Sequence, residues 1–222
     1  MTEQDIFYLR SEDKIEFIRI DNSYVFFDGV VSFLAGVCST NLLMDSYLTE
    51  AIAYKEGHYL FFEGRTKATN KIYYFFPYDI YKYLMDNRWP QSINIHFKEK
   101  TFPDQEEING GLDGFAKVFL SLGQATYIQY WESTKDKVIK VFGTDPTKWN
   151  TIFTFGWLVR NALAHNFKVT VNNPKIDNIT WKGLSLGYSK NGIDISEQIM
   201  FIELIILMKD IEDELISYCL KD

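Results

Sequence analysis

Within the segment Gly156 to Phe167, which reads G-W-L-V-R-N-A-L-A-H-N-F, an arginine, an asparagine and a histidine stand close enough to act together. Arg160 and His165 are separated by four residues, and Asn161 directly follows the arginine. Histidine, with an unperturbed pKa of ~6.5, can take or give a proton near neutrality. Arginine offers a planar fork of N–H donors that matches the oxygens of a phosphate. Internal cleavage of RNA needs both capacities: a base for the ribose 2′-hydroxyl, an acid for the 5′ leaving oxygen, and a cation at the charged phosphorus centre. On a helix, at ~100° per residue, Asn161 and His165 lie one turn apart on one face. Asn161 would there accept from or donate to one ring nitrogen and fix its tautomer. Arg160 sits ~100° round from Asn161, and its long side chain could turn toward the same face. One histidine supplies half of an acid–base pair, and a two-fold dimer would supply both halves.

The same residues have a plainer reading. The macrodipole favours an arginine and a histidine near any helix C-terminus, whatever their chemistry.

The wording L-V-R-N-A-L-A-H-N, on a predicted helix that precedes one further long helix, resembles the Rx4-6H motif of the HEPN superfamily of ribonucleases. The likeness is close over the motif and loose over the rest, and residues 1–110 lie outside a minimal HEPN domain. It implies a mainly α, up-and-down helix bundle with a small β insertion before the last helix. It also implies a metal-independent endoribonuclease working at a composite site between two copies of the chain. His165 would act as general base or acid, Arg160 would stabilise the phosphorane, Asn161 would orient the histidine, and products would end in a 2′,3′-cyclic phosphate. HEPN nucleases are often found in defence or toxin–antitoxin settings, so the resemblance also implies a partner that inhibits the protein. Two alternatives stay open: a non-catalytic module that binds RNA or a nucleotide through the same helix end, and an interaction protein whose motif builds a dimer interface.

Charge bears on the ligand. The net charge is −7, which argues against a surface that binds nucleic acid everywhere, because neutralising phosphates takes clustered Lys and Arg. Between Arg160 and Gly192, however, Arg160, Lys168, Lys175, Lys182 and Lys190 face only Asp177, a local +4 that leaves −11 for the remainder. Any polyanion affinity is expected in this window, with Lys168 and Lys182 as candidate contacts to substrate. Ordinary exposed lysines on a hairpin account for them equally well.

Several elements must position these groups. From Tyr24 to about Lys55, Val30, Phe33, Leu34, Val37, Met44, Leu48 and Ile52 recur at helical spacing, with Gly57 as a stop. A second helical pattern runs from Leu112 to Phe142 with a break near Ser133, and Gly143 ends it. Asp145-Pro146 opens the motif helix, which runs from about Pro146 to about His165, with Asp145 as cap and Pro146 at the first position. Val169 to Val171, Ile179 to Trp181 and Leu184 to Tyr188 alternate with Asn, Pro and Gly turn signals, as in a small meander or hairpin. Asp194 with Glu197 forms an Asp version of the capping box for a last helix carrying Ile195, Ile199, Ile202, Ile206, Ile211 and Leu215.

The N-terminal half is less legible. Lys14 to Ile20 reads as a strand or a helical turn. Tyr59 to Phe62 and Ile72 to Phe76 read as a hairpin or as two helix ends, and periodicity does not separate the two. Pro77 favours a helix start with Ile80, Tyr81, Leu84 and Met85 on its apolar face, and Ile93 to Phe97 suits a strand. The elements together predict one domain over 1–222, with an elaborated part over about 1–110 and a motif-bearing helical part over about 111–222.

Composition fits that expectation. With 222 residues, of which 46% are hydrophobic, the chain can bury about 70% of its unfolded surface and needs no disulfide or metal to hold a core. Cys38 and Cys219 are its only cysteines, read as small buried apolar residues in a reducing compartment. No apolar run reaches membrane-spanning length, since Glu203 interrupts the richest one. Met1 to Asp5 shows no secretory pattern, and a cytoplasmic location is expected.

Other candidates carry weaker chemistry. His58 and His96 have no Cys, Asp or Glu at ligand spacing, so neither metal nor cofactor is expected. Glu212, Asp213 and Glu214 read as a solvated helix face, and Asp104, Glu106 and Glu107 as loop acids. The aromatic run Tyr73, Tyr74, Phe75, Phe76, Tyr78, Tyr81 and Tyr83 could stack on bases, but it has few interleaved basic residues and suits a core better. Gly110, Gly111 and Gly114 do not follow the pattern of a phosphate loop.

Overall fold

The computed structural model describes residues 16–49, 62–66, 71–75, 83, 88–99 and 113–219. Among them the expectation of a mainly α bundle is corrected. The described residues are 56% helical and 18% strand, a mixed α/β fold that shows four helices and two small sheets among them.

Three strands of the larger sheet come from segments that periodicity left undecided, and the fourth contains the expected strand Ile93 to Phe97. Its strands are β1 (Glu16–Asp21), β2 (Phe62–Thr66), β3 (Lys71–Phe75) and β4 (Ser92–Glu99), antiparallel throughout in the order β1-β4-β3-β2. Pairing puts Ile20 beside Ile93, Ile18 beside Ile95, and Tyr73 beside Phe97. The β1–β4 pair joins positions more than 70 residues apart in the chain. A lone apolar run does not announce such a partner, and this is why short segments that fit either state resolve as strands only in context. Tyr73 is buried, with its ring 6.0 Å from that of Phe97, so it serves the core and is not a platform for bases. Of the expected helix after Pro77 only Tyr83 is described, as a helical residue; the acids Asp104, Glu106 and Glu107, the glycines Gly110 and Gly111, and His58 lie outside the described residues.

Four helices make up most of the remainder: α1 (Phe27–Thr49), α2 (Asp113–Phe142), α3 (Thr151–Ala164) and α4 (Phe201–Cys219). No described helix is long and apolar enough to cross a membrane. The break expected near Ser133 is absent. α2 is continuous, and the Ser133 hydroxyl donates back to the Tyr130 carbonyl at 2.7 Å without interrupting it. α4 is the central element, since every residue from Ile202 to Met208 is buried, as in a helix enclosed on all sides. Its start is corrected too. Asp194 caps only a 3-10 turn, Ile195–Glu197, accepting from Ser196 N at 3.0 Å. The long helix begins six residues later, where Glu203 Oε2 accepts from Met200 N at 2.9 Å. The Glu203 that interrupts the apolar run is thus spent on the first turn of α4.

Side chains of the larger sheet, such as Ile20, Tyr73 and Ile95, share one hydrophobic cluster with those of the helices. The smaller sheet is the expected hairpin, β5 (Ile179–Trp181) and β6 (Leu184–Leu186), joined through Lys182 and Gly183. Both turn residues have positive φ, 43° and 84°, as a tight two-residue hairpin turn requires. The segment Val169 to Val171 is not a strand of its own. It lies along residues 191–193 through Val169 N to Ile193 O and Gly192 N to Val169 O.

Candidate functional site

α3 carries the Arg160–His165 motif, and its origin differs from the expected one. Asp145 and Pro146 start a single 3-10 turn, Pro146–Lys148, with Asp145 Oδ1 accepting from Thr147 N at 3.0 Å. Trp149 is extended, and α3 starts afresh at Thr151. Thr154 bridges the interruption by donating to the Pro146 carbonyl at 3.0 Å.

The first turns of α3 are locked into the core by Phe153, Phe155, Leu158 and Val159, all buried. α2 runs antiparallel beside it. Gln124 Nε2 donates to the Leu163 carbonyl at 2.6 Å near one end, Tyr127 donates to the Gly156 carbonyl at 3.0 Å, and the Phe142 and Phe153 rings lie 5.2 Å apart at the other end. The helix axis is therefore fixed, and with it the positions from which Arg160 and His165 leave.

His165 caps the helix. Its backbone N–H is shared between the carbonyls of Asn161 (3.0 Å) and Ala162 (3.1 Å), and its own carbonyl accepts from Lys168 N at 3.1 Å. Asn166 and Phe167 follow with φ of 54° and 63°. Asn tolerates that left-handed region, but Phe adopts it rarely. What holds Phe167 there is its carbonyl, which accepts from Ile195 N at 2.7 Å, together with the Lys168–Asp194 bridge beside it. The turn after the motif is thus pinned to the residues that lead into α4. The His165 residue is exposed, and its ring has no hydrogen-bond partner among the described residues.

Arg160 has a different environment. Nη2 lies 2.5 Å from Glu132 Oε1 on α2, and Nη1 donates to Asn161 Oδ1 at 3.2 Å. Nε is buried with no partner among the described residues. The second Glu132 oxygen takes Lys135, so the carboxylate sits between two cations. The Lys135 hydrogen bond, and then the nearby Arg160, hold the Glu132 carboxyl below the usual carboxylate range.

The orientation of Arg160 follows from helix geometry. Side chains lean toward the N-terminus of their helix, and Glu132 adjoins Trp131, which packs at the level of Gly156. The guanidinium therefore points back along α3, while His165 lies five residues onward, about 7.5 Å of rise.

Arg160 and Asn161 are thus brought together, and neither is hydrogen-bonded to the His165 ring. Asn161 serves the guanidinium and not the imidazole. Lys168, the nearer of the two candidate lysines, is three residues past His165 and ion-paired with Asp194 at 3.1 Å. Lys182 is paired with Asp210 at 3.1 Å. Its neighbour Trp181 packs its ring against Phe155, tilted, at 5.6 Å and donates to Asp210 at 2.9 Å, which sets this hairpin turn near the first half of α3.

Two participants escape sequence reading, Glu132 and Lys135. They lie about 30 residues upstream, where a helix break is expected, and no spacing rule links them to Arg160. The C-terminal acids also change character. Only Asp213 is exposed, Glu212 is buried with Oε1 accepting from Val25 N at 2.9 Å, and Glu214 accepts from Asn150 Nδ2 at 2.7 Å. His96 is buried in β4 near the ring of Phe17, and burial holds its imidazole below the ordinary value.

No protein-family model, curated protein or solved structure matches this chain.

Proposed function

We propose that the chain is an endoribonuclease of HEPN type, with His165 as the proton-transfer group and Arg160 as the cation for the phosphodiester. The reading rests on one observation above all, the exposed His165 ring. It has no protein partner among the described residues and sits on a turn pinned by Phe167, Lys168 and Asp194. An imidazole without protein partners on a rigid support can meet a ribose hydroxyl without first breaking a contact. Because the Arg160 guanidinium points away from the same chain's His165, a second copy would complete the site. Two copies also provide the base and the acid that one histidine cannot supply together.

The test is cleavage of single-stranded RNA in excess EDTA, with product ends analysed for 2′,3′-cyclic phosphate. His165→Ala and Arg160→Ala are compared with wild type after circular dichroism has matched their folding. Each is expected to lose on the order of 10²-fold or more. A rate that stays unchanged in either variant removes that residue from the mechanism.

One observation favours a second reading. Arg160 ties α3 to α2 through Glu132, as a residue with a purely structural role would. On that reading the helix end binds RNA, or another copy of the chain, without cleaving. Binding with a salt dependence of a few charges and no cleavage at any protein concentration would then be found.

A further inference from the structure

Glu132 has a cation on each carboxylate oxygen, Arg160 on Oε1 and Lys135 on Oε2. A carboxylate and a phosphate present similar oxygens to a guanidinium fork, so a group that holds one is shaped to hold the other. We propose that Arg160 and Lys135 form a binding site for one phosphate of an RNA backbone, and that Glu132 is an internal anion which weakens that binding. The choice of RNA as ligand rests on the reading of the α3 end as an RNA site. The pairing of the two cations on one carboxylate does not.

The donor count supports a second anion. Arg160 has five N–H groups, of which one on Nη2 meets Glu132, one on Nη1 meets Asn161, and Nε is buried. That leaves one donor on each Nη nitrogen, on a side chain 29% exposed. Lys135 is 42% exposed and uses one of its three N–H donors on Glu132. Both cations therefore keep donors that Glu132 and Asn161 do not take, on side chains that are partly exposed.

The charges explain why such a site is muted in the resting chain. Asp136, the next residue on α2, is exposed and ionisable. With Glu132 it balances Arg160 and Lys135 to zero. Exchanging Glu132 for neutral glutamine, of similar side-chain volume, leaves +1 and removes the competing negative charge. A unit charge about 4 Å away in water changes affinity by roughly fivefold.

The experiment uses the full chain and a fluorescein-labelled 2′-O-methyl oligouridine, which lacks the attacking hydroxyl, so binding is read apart from cleavage. Anisotropy titrations at several salt concentrations compare wild type, Glu132→Gln, Glu132→Gln with Arg160→Gln, and Lys135→Gln. Glu132→Gln is expected to bind roughly fivefold tighter at low salt, and adding Arg160→Gln should abolish the gain. Lys135→Gln alone should bind more weakly, with the salt slope reduced by about 0.7, the share of one cation on a single strand. The proposal is overturned if Glu132→Gln binds no tighter while its circular dichroism and melting match wild type, or if the gain survives Arg160→Gln. Should Glu132→Gln fail to fold, Lys135→Gln decides: unchanged affinity and slope overturn the proposal. A cleavage assay that finds no role for His165 leaves these binding results standing, so the two readings fail separately.

Discussion

At Gly156 an added Cβ would come within 2.6 Å of Ile211 Cδ1 and 2.8 Å of Trp131 Cζ3, whereas nine residues on the His165 ring meets solvent and no protein partner among the described residues. The first half of α3 is specified by volume. Phe153, Phe155, Leu158 and Val159 are buried, and the glycine lets α2 and α4 approach closely enough to enclose them. Beyond that half, Ala162 and Leu163 stay buried, while the polar side chains of the rim are specified by pairing: Arg160 with Glu132 and Asn161, and Lys168 with Asp194. One short helix thus combines a part in which shape decides with a part in which charge decides. The contrast predicts that substitutions in the first part act on stability, and in the second on chemistry.

The largest stability effect is expected at Phe155, which is fully buried with its ring 5.6 Å from that of Trp181. Phe155→Ala should cost about 3–5 kcal/mol in chemical denaturation, because it removes the ring and leaves a cavity at the joint between α3 and the β5–β6 hairpin. A loss below 1 kcal/mol would mean that the hairpin does not rest on α3. Gly156→Ala comes next. A single methyl there overlaps two side chains, and overpacking of this kind costs about 1–3 kcal/mol. Thermal melting checks it, and an unchanged midpoint would break the claim that close approach fixes α3.

Glu212 sharpens the contrast, because it is a polar group on the volume-specified side. Burial pushes its carboxyl above the ordinary value. The Val25 N–H and Lys137 oppose that effect, and Asp213 adds to it. Raised in the folded state, it holds its proton more tightly there than in the unfolded chain. The stability this contributes is fully present at low pH and is lost as pH rises from the usual carboxylate range through the raised value. Glutamine can keep the acceptor for Val25 N without ionising. Glu212→Gln is therefore expected to melt above wild type at neutral pH, with the gap closing in acid. A gap that does not change with pH would show that ionisation of Glu212 carries no cost.

The two parts also differ in how far the sequence exposes them. α1, α2 and α4 are legible from apolar periodicity, and the β5–β6 hairpin from Lys182-Gly183, because each signal lies within a few residues of what it determines. The four-stranded sheet is legible only in part. Ile93 to Phe97 suits a strand and lies within β4, whereas β1 finds its partner more than 70 residues away and does not contain the information that makes it a strand. At the site, Arg160, Asn161 and His165 are conspicuous by type and spacing. Their relation is not, because rotation about the helix says nothing of Glu132, which takes the guanidinium. Helix starts are misplaced at Asp145 and Asp194 for a related reason. Each caps a local turn correctly, and whether a helix continues beyond one turn depends on packing that the cap does not encode.

The smallest stability effect separates the two parts most cleanly. His165→Ala removes an exposed ring that makes no hydrogen bond among the described residues, while the backbone contacts that end the helix remain. A surface change of this kind shifts stability by no more than about 0.5 kcal/mol, so denaturation curves of variant and wild type should overlie. On the proposed ribonuclease reading, the same variant would lose on the order of 10²-fold in RNA cleavage, because it removes the group assigned to proton transfer. A loss of stability comparable to Gly156→Ala would place the imidazole among the groups that build α3. The division of the helix into a shaped half and a chemical half would then not hold.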